Sequence, residues 1–256
     1  MDPLKVFDES IAEARLLVNF YETFKTRSER NVRQSFAERA NRLISPFTDK
    51  TFDNRSNSEK SYIFFELGAT IDWRQLRHNQ CRVLLKMAIV QAVSAMDCYF
   101  HDQIEWHFGR ILSKCPDKAP RSLRDFPIPT GRVKDVVDNY ERTTVGLRIA
   151  FESELRKVSI QSVRQIEGKL KIIGVTGFWG DVSNEMGVAS DELKSWIGQI
   201  ARQRNRIVHE GDRLRAQNGR MSRARDISAD DVVDDIHVID CFVYAMDHEI
   251  ERRATK

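Results

Sequence analysis

The run Arg202-Gln203-Arg204-Asn205-Arg206-Ile207-Val208-His209-Glu210-Gly211-Asp212 gathers the residue types that act on phosphodiesters. Arginine carries a permanent, fork-shaped charge suited to phosphate oxygens, and histidine exchanges a proton near neutral pH. Arg204, Asn205 and His209 are the candidate catalytic residues, with Arg202 and Arg206 in support. The element that must position them is an amphipathic helix from near Ser190 to Gly211. Ser190 offers a cap, and Asp191 and Glu192 suit the positive end of the helix dipole. On an ideal helix Leu193, Trp196, Ile197, Ile200, Arg204 and Ile207 share the apolar face, with Arg202, Asn205, Arg206 and His209 opposite. Arg204 and His209 then diverge by about 140°, too far to embrace one phosphate. Either the last turn unwinds before Gly211, or a second copy of the chain supplies the other half of the site. A charged Arg204 on an apolar face needs an acid, and Asp97, at the edge of an earlier apolar helix, is the candidate partner.

The rest of the chain bounds the setting. Its 256 residues can bury a sizeable core, and 31% charged residues with a mean hydropathy of −0.48 exclude a membrane protein or a disordered tail. No uninterrupted apolar run long enough for a bilayer stands out, and the start lacks a secretory signal, so a cytoplasmic location is expected. Cys81, Cys98, Cys115 and Cys241 form no Cys-x-x-Cys pair; Cys98 and Cys241 read as packed thiols. No metal-ligand cluster or phosphate-cradling glycine pattern is visible, and no cofactor is expected. The net charge of +3 says little, but its distribution says more. From Arg202 to Arg225 eight arginines face two acids, and the sign reverses at Asp230, Asp231, Asp234 and Asp235.

The periodicity predicts an all-α chain. Ile11 to Leu43 fits one long or two consecutive helices stopped by Pro46, with a loop to Asn57 and an ambiguous stretch from Ser61 to Leu67. A long helix begins near Cys81 and runs past Ile111. Pro116, Pro120, Pro127 and Pro129 mark the clearest internal boundary. Helical patterns return over Val133–Val158 and Ser162–Ile173. Gly174, Gly177, Gly180 and Gly187 predict a loop carrying Phe178 and Trp179 as a plug on the core. A last helix opens at Ser228 and reaches about Arg252. Trp106, Trp179 and Trp196 read as core, His101 and His107 as packing or surface residues, and His237 and His248 are too far apart for a compact metal site.

Three ordered blocks resemble the HEPN superfamily, in its RiboL-PSP branch: Ala88-Ile89-Val90-Gln91-Ala92-Val93-Ser94-Ala95-Met96-Asp97-Cys98-Tyr99-Phe100-His101-Asp102; Gln161-Ser162-(three residues)-Ile166-Glu167 with Ile172-Ile173-Gly174-Val175 and Phe178-Trp179; and Arg204-Asn205-(three residues)-His209-Glu210-Gly211. The resemblance covers roughly Arg82 to Glu251. It implies a HEPN-like helical bundle over 81–256; residues 1–80, which the resemblance does not cover, are expected to form an N-terminal helical extension packed on that core. The resemblance further implies a homodimer whose two motifs face a shared cleft, and metal-independent cleavage of single-stranded RNA in a bacterial toxin or anti-phage setting. The RNA's own 2′-hydroxyl is the nucleophile in that chemistry. RNA is then the expected partner, with a neutralising antitoxin or a trigger protein beside it. Arg213, Arg215 and Arg220 are candidates for RNA contact, with solubility the competing reason for them. The alternative is a non-catalytic HEPN module that binds RNA or nucleotide or serves as an assembly interface. A helix end rich in cations also offsets the helix dipole, and His209 could do no more than that.

Overall fold

Apolar residues on most sides of Arg82–Lys114 make this helix the centre of the structure: Leu85, Ile89, Val93, Met96, Phe100 and Ile104 are all buried. The computed structural model describes residues 2–25, 81–114, 119–210 and 226–254, and every regular element among them is helical. In chain order these are α1 (Pro3–Lys25), α2 (Arg82–Lys114), α3 (Arg121–Arg124), α4 (Thr130–Asn139), α5 (Thr143–Leu155), α6 (Val163–Leu170) with a 3-10 turn (Lys171–Ile173), α7 (Trp179–Glu185), α8 (Ser190–Glu210) and α9 (Ala229–Ala254). The chain forms two compact units, Met1–Val18 with Leu84–Lys256, and Asn19–Val83. The readings for Val32–Leu43, the loop after Pro46 and Ser61–Leu67 lie outside the described residues, as do Cys115 and Pro116.

In the larger unit α1 buries Phe7, Ile11, Ala14 and Val18, one residue per turn. Phe7 meets the Tyr99 ring edge-on at 6.0 Å, Arg15 pairs with Asp240 at 2.6 Å, and the Tyr244 hydroxyl donates to Asp8. These contacts seat α1 against α2 and α9. On α9, Val232, Ile236, Ile239, Phe242, Val243, Met246 and Ile250 form the buried stripe. Ser228 caps this helix by accepting the Asp231 N–H at 3.1 Å. Phe242 stacks on Trp179 at 5.5 Å and leans on Phe100 at 6.1 Å, joining α9 to α7 and α2.

Several sequence expectations change. Phe178 and Trp179 are buried, but Trp179 opens a short helix that contains Gly180, so the expected loop is limited to its flanks. Arg253 explains the tight docking of α7: it donates to the carbonyls of Thr176 and Gly177 and to Asp181 and buried Glu249, which crosses from α9 to the turn before α7. The proline stretch does not separate units. Leu123 is buried, Phe126 packs on Phe151 at 4.6 Å and Ser122 donates to the Lys171 carbonyl, so its described part is pinned to the bundle on both sides. Trp106 is 51% exposed, and Cys98 is exposed as well, because the buried faces of α2 are taken by other residues and both turn outward. The first carbonyl of α8 comes from Ala189, which makes Ser190 the first helical residue rather than the cap. Finally, α2 over Arg82–Ile111 is long and apolar enough to cross a bilayer by length and composition alone, a property it shares with buried core helices, and half of its most apolar stretch is buried inside the fold.

The helical pattern of Val133–Val158 breaks where Tyr140 turns extended. α4 and α5 then fold back on one another, and Gly146 is what lets them approach. A Cβ there would lie 2.7 Å from Val136 Cγ1 and 3.0 Å from the Tyr140 ring. Gly146→Ala is expected to destabilise the protein by about 1–3 kcal/mol through overpacking. Gly168→Ala, a helical position with nothing within 4 Å, is expected to stabilise by about 0.5–1 kcal/mol. Urea unfolding midpoints of the two variants check the contrast; equal midpoints would contradict it.

Candidate functional site

Among the described residues, the buried side chains of α8 lie in its first three turns. Leu193, Ile197, Ile200 and Ala201 are buried, whereas no residue from Arg202 to His209 is. Full burial ends where the arginines begin, and beyond that point Arg204, Arg206 and Ile207 are half-buried. Lys194, in the first turns, lies 5.5 Å over the Trp179 ring and 3.9 Å from Glu167, which holds α8 to α7 and α6.

Arg202, Asn205 and His209 are exposed, and helix geometry puts them within about 60° of one another. Arg204 is half-buried. Its Nη1 donates to Asn205 Oδ1 at 3.1 Å, and its Nε is buried with no hydrogen-bond partner. Asn205 thus braces the guanidinium of Arg204 rather than the imidazole of His209. Arg206, expected on the solvent side, is also half-buried, and its Nε is likewise unpartnered. Arg213, Arg215 and Arg220 lie outside the described residues.

The carboxylate proposed for Arg204 is engaged elsewhere. Asp97 accepts the Ile160 N–H on Oδ1 and the Gln161 side-chain amide on Oδ2 at 3.0 Å, and it lies 3.4 Å from His101 Nδ1. Burial pushes this carboxyl up, but the hydrogen bonds from His101, Ile160 and Gln161 outweigh it and hold the group below its ordinary value. Asp97 therefore fastens the α5–α6 connector to α2 and leaves Arg204 without a carboxylate.

Among the described residues, none of Arg202, Arg204, Arg206 and His209 has an acidic partner. Elsewhere arginines pair freely: Arg15 with Asp240, Arg148 with Glu152, Arg156 with Glu105, and Arg252 and Arg253 with Glu249. An uncompensated cluster of cations at one helix end repels itself unless an anion joins it. Its chemistry suits a polyanion with several phosphate oxygens.

A second polar cluster escaped the sequence reading. Tyr99 and Gln103 on α2 both donate to Asp247 on α9, at 2.8 and 2.7 Å. One turn on, His107 is 1% exposed, 3.6 Å from Glu251, and burial pushes it down to about 4. The signal was present as a row at i, i+4, i+8 along α2, but its meaning depends on which helix faces it. His248 bonds Glu185 at 2.7 Å, and His237 contacts Cys241 at 3.6 Å. No group of three or more His, Cys, Asp or Glu residues placed to hold a metal occurs among the described residues. No protein-family model, curated protein or solved structure matches the chain.

Proposed function

We propose that this chain is a metal-independent endoribonuclease of the HEPN type that cleaves single-stranded RNA. The observation that carries the reading is the set Arg202, Arg204, Arg206 and His209 on the far turns of α8, a cationic site with a proton carrier and, among the described residues, no acidic partner. Arg204, braced by Asn205, would hold charge on the phosphate. His209 would take the proton of the 2′-hydroxyl as its oxygen attacks phosphorus; the bond to the 5′-oxygen breaks, and that oxygen takes a proton from a second histidine. The products are a 2′,3′-cyclic phosphate and a 5′-hydroxyl.

One helix turned through about 140° between Arg204 and His209 does not bring both to one phosphate, so the second histidine and the facing arginine are assigned to another copy of the chain. A cytoplasmic homodimer in a bacterial toxin or anti-phage role, restrained by an antitoxin or a trigger, completes the proposal by resemblance alone. The same divergence favours a second reading, a non-catalytic module that grips RNA or nucleotide through the arginines.

Incubating end-labelled single-stranded RNA with the purified chain in excess EDTA separates the two. Cyclic-phosphate ends, with a DNA of the same sequence left intact, are the expected result. Binding without cleavage would select the second reading, and cleavage abolished by EDTA would overturn the metal-independent mechanism.

A further inference from the structure

His101 lies on α2 one turn beyond Asp97 and is 8% exposed. Its Nδ1 is 2.8 Å from the Asp97 carbonyl oxygen and 3.4 Å from Asp97 Oδ1. Its Nε2 is 3.2 Å from the Val158 carbonyl oxygen and 3.4 Å from that of Leu155. Every one of these neighbours is an acceptor. A neutral imidazole has a single N–H, so it can satisfy one side of this cage and must point a lone pair at a carbonyl on the other; only the imidazolium donates from both nitrogens.

The pair grips one piece of chain. His101 takes the carbonyls of Leu155 and Val158 at the end of α5, and Asp97 takes the Ile160 N–H and the Gln161 side chain just beyond. The next residue, Ser162, starts α6 with a reciprocal capping box to Gln165. The connector thus enters α6 already fixed, and α6 in turn packs on the first turns of α8.

We infer that His101 and Asp97 form a proton-operated latch on the α5–α6 connector, closed by the imidazolium and released when a ring proton leaves. This goes beyond the proposed ribonuclease and does not depend on it.

The surrounding charges favour the closed form. On α2 the carboxylates are Asp97, Asp102 and Glu105. From the end of α5 comes Arg156, bound to Glu105 at 2.8 Å and 3.7 Å from Asp102. Lys157 is spent on Glu154, and Arg148 on Glu152. Burial disfavours the charged ring, but the hydrogen bonds and charge of Asp97, with the Leu155 carbonyl, hold His101 above its ordinary value. The sign follows from linkage. A histidine raised in the folded state stabilises fully below its unfolded value near 6.5, and that contribution is lost as pH rises through the folded value. Asp97, lowered, stabilises above its unfolded value near 3.8 and loses its contribution only as pH falls through the folded one. The latch is closed between these limits and opens on the alkaline side.

The test uses the full 15N-labelled chain, with His101 ring nitrogens followed by long-range 1H–15N spectra from about pH 5.5 to about 9.5. Both nitrogens should be protonated at the acid end, with a midpoint above about 6.5. Through the same transition the Ile160 amide should lose at least about tenfold of its hydrogen-exchange protection after correction for the intrinsic rate. In His101→Gln the Ile160 amide should exchange fast throughout, without that transition. A single neutral tautomer at the acid end, a midpoint at or below about 6.5, or constant Ile160 protection across the titration would overturn the latch. The wild-type titration decides the matter even if the variant fails to fold.

Discussion

His209→Ala is expected to lower RNA cleavage by about 10²–10⁴-fold, the usual contribution of a positioned general acid or base. Its unfolding free energy should stay within about 0.5 kcal/mol of wild type, since surface changes away from packed contacts move stability little. The separation of the two effects comes from position. His209 is exposed on the last described turn of α8, well past Ala201, the last of that helix's described side chains to be buried. Single-turnover cleavage in EDTA and thermal unfolding, measured on one preparation, give both numbers. Cleavage unchanged in the variant would remove His209 from the reaction and, with it, the ribonuclease assignment of this site. Cleavage lost together with the fold would show that the side chain matters for stability, contrary to its exposure.

Phe242→Ala is expected to cost about 3–5 kcal/mol, the range for deleting a buried aromatic and leaving a cavity behind. Phe242 is fully buried, stacks nearly parallel on Trp179 and contacts Phe100, so one side chain holds α9, α7 and α2 together. Its loss also strips one face of Trp179, whose indole Nε1 is buried without a hydrogen-bond partner. The Arg253 clasp on Thr176, Asp181 and Glu249 keeps α7 attached, so the variant should remain helical with a lowered midpoint rather than collapse. Urea unfolding followed by Trp fluorescence measures it, with Val133→Ala, an exposed position, as the control. A cost below about 1 kcal/mol would mean that this three-helix contact is not where the core stores its stability.

What could be read from sequence divides along the range of the interactions involved. The starts of α2, α6 and α9 follow from apolar spacing and from Ser162 and Ser228 as caps, effects confined to a few residues of chain. Exposure of Arg202, Asn205 and His209 followed from the same 100° rotation. The order of residues along the chain likewise places Arg202, Arg204 and Arg206 together.

Facing partners were not readable in this way. Asp97 looked suited to Arg204 because both sit where an apolar face meets a charge, yet which acid meets which base depends on how α2, the α5–α6 connector and α8 are arranged in space. That arrangement hands Asp97 to Ile160, Gln161 and His101, and leaves Arg204 to its neighbour Asn205. Trp106 and Cys98 were misplaced for the same reason: they are apolar in type, but other faces of α2 are the ones its neighbours cover. Local sequence determined where the helices lie and which charges each one carries. Only tertiary packing decided which of those charges meet a partner, because burial and ion pairing are set by surfaces that residues far apart in the chain bring together.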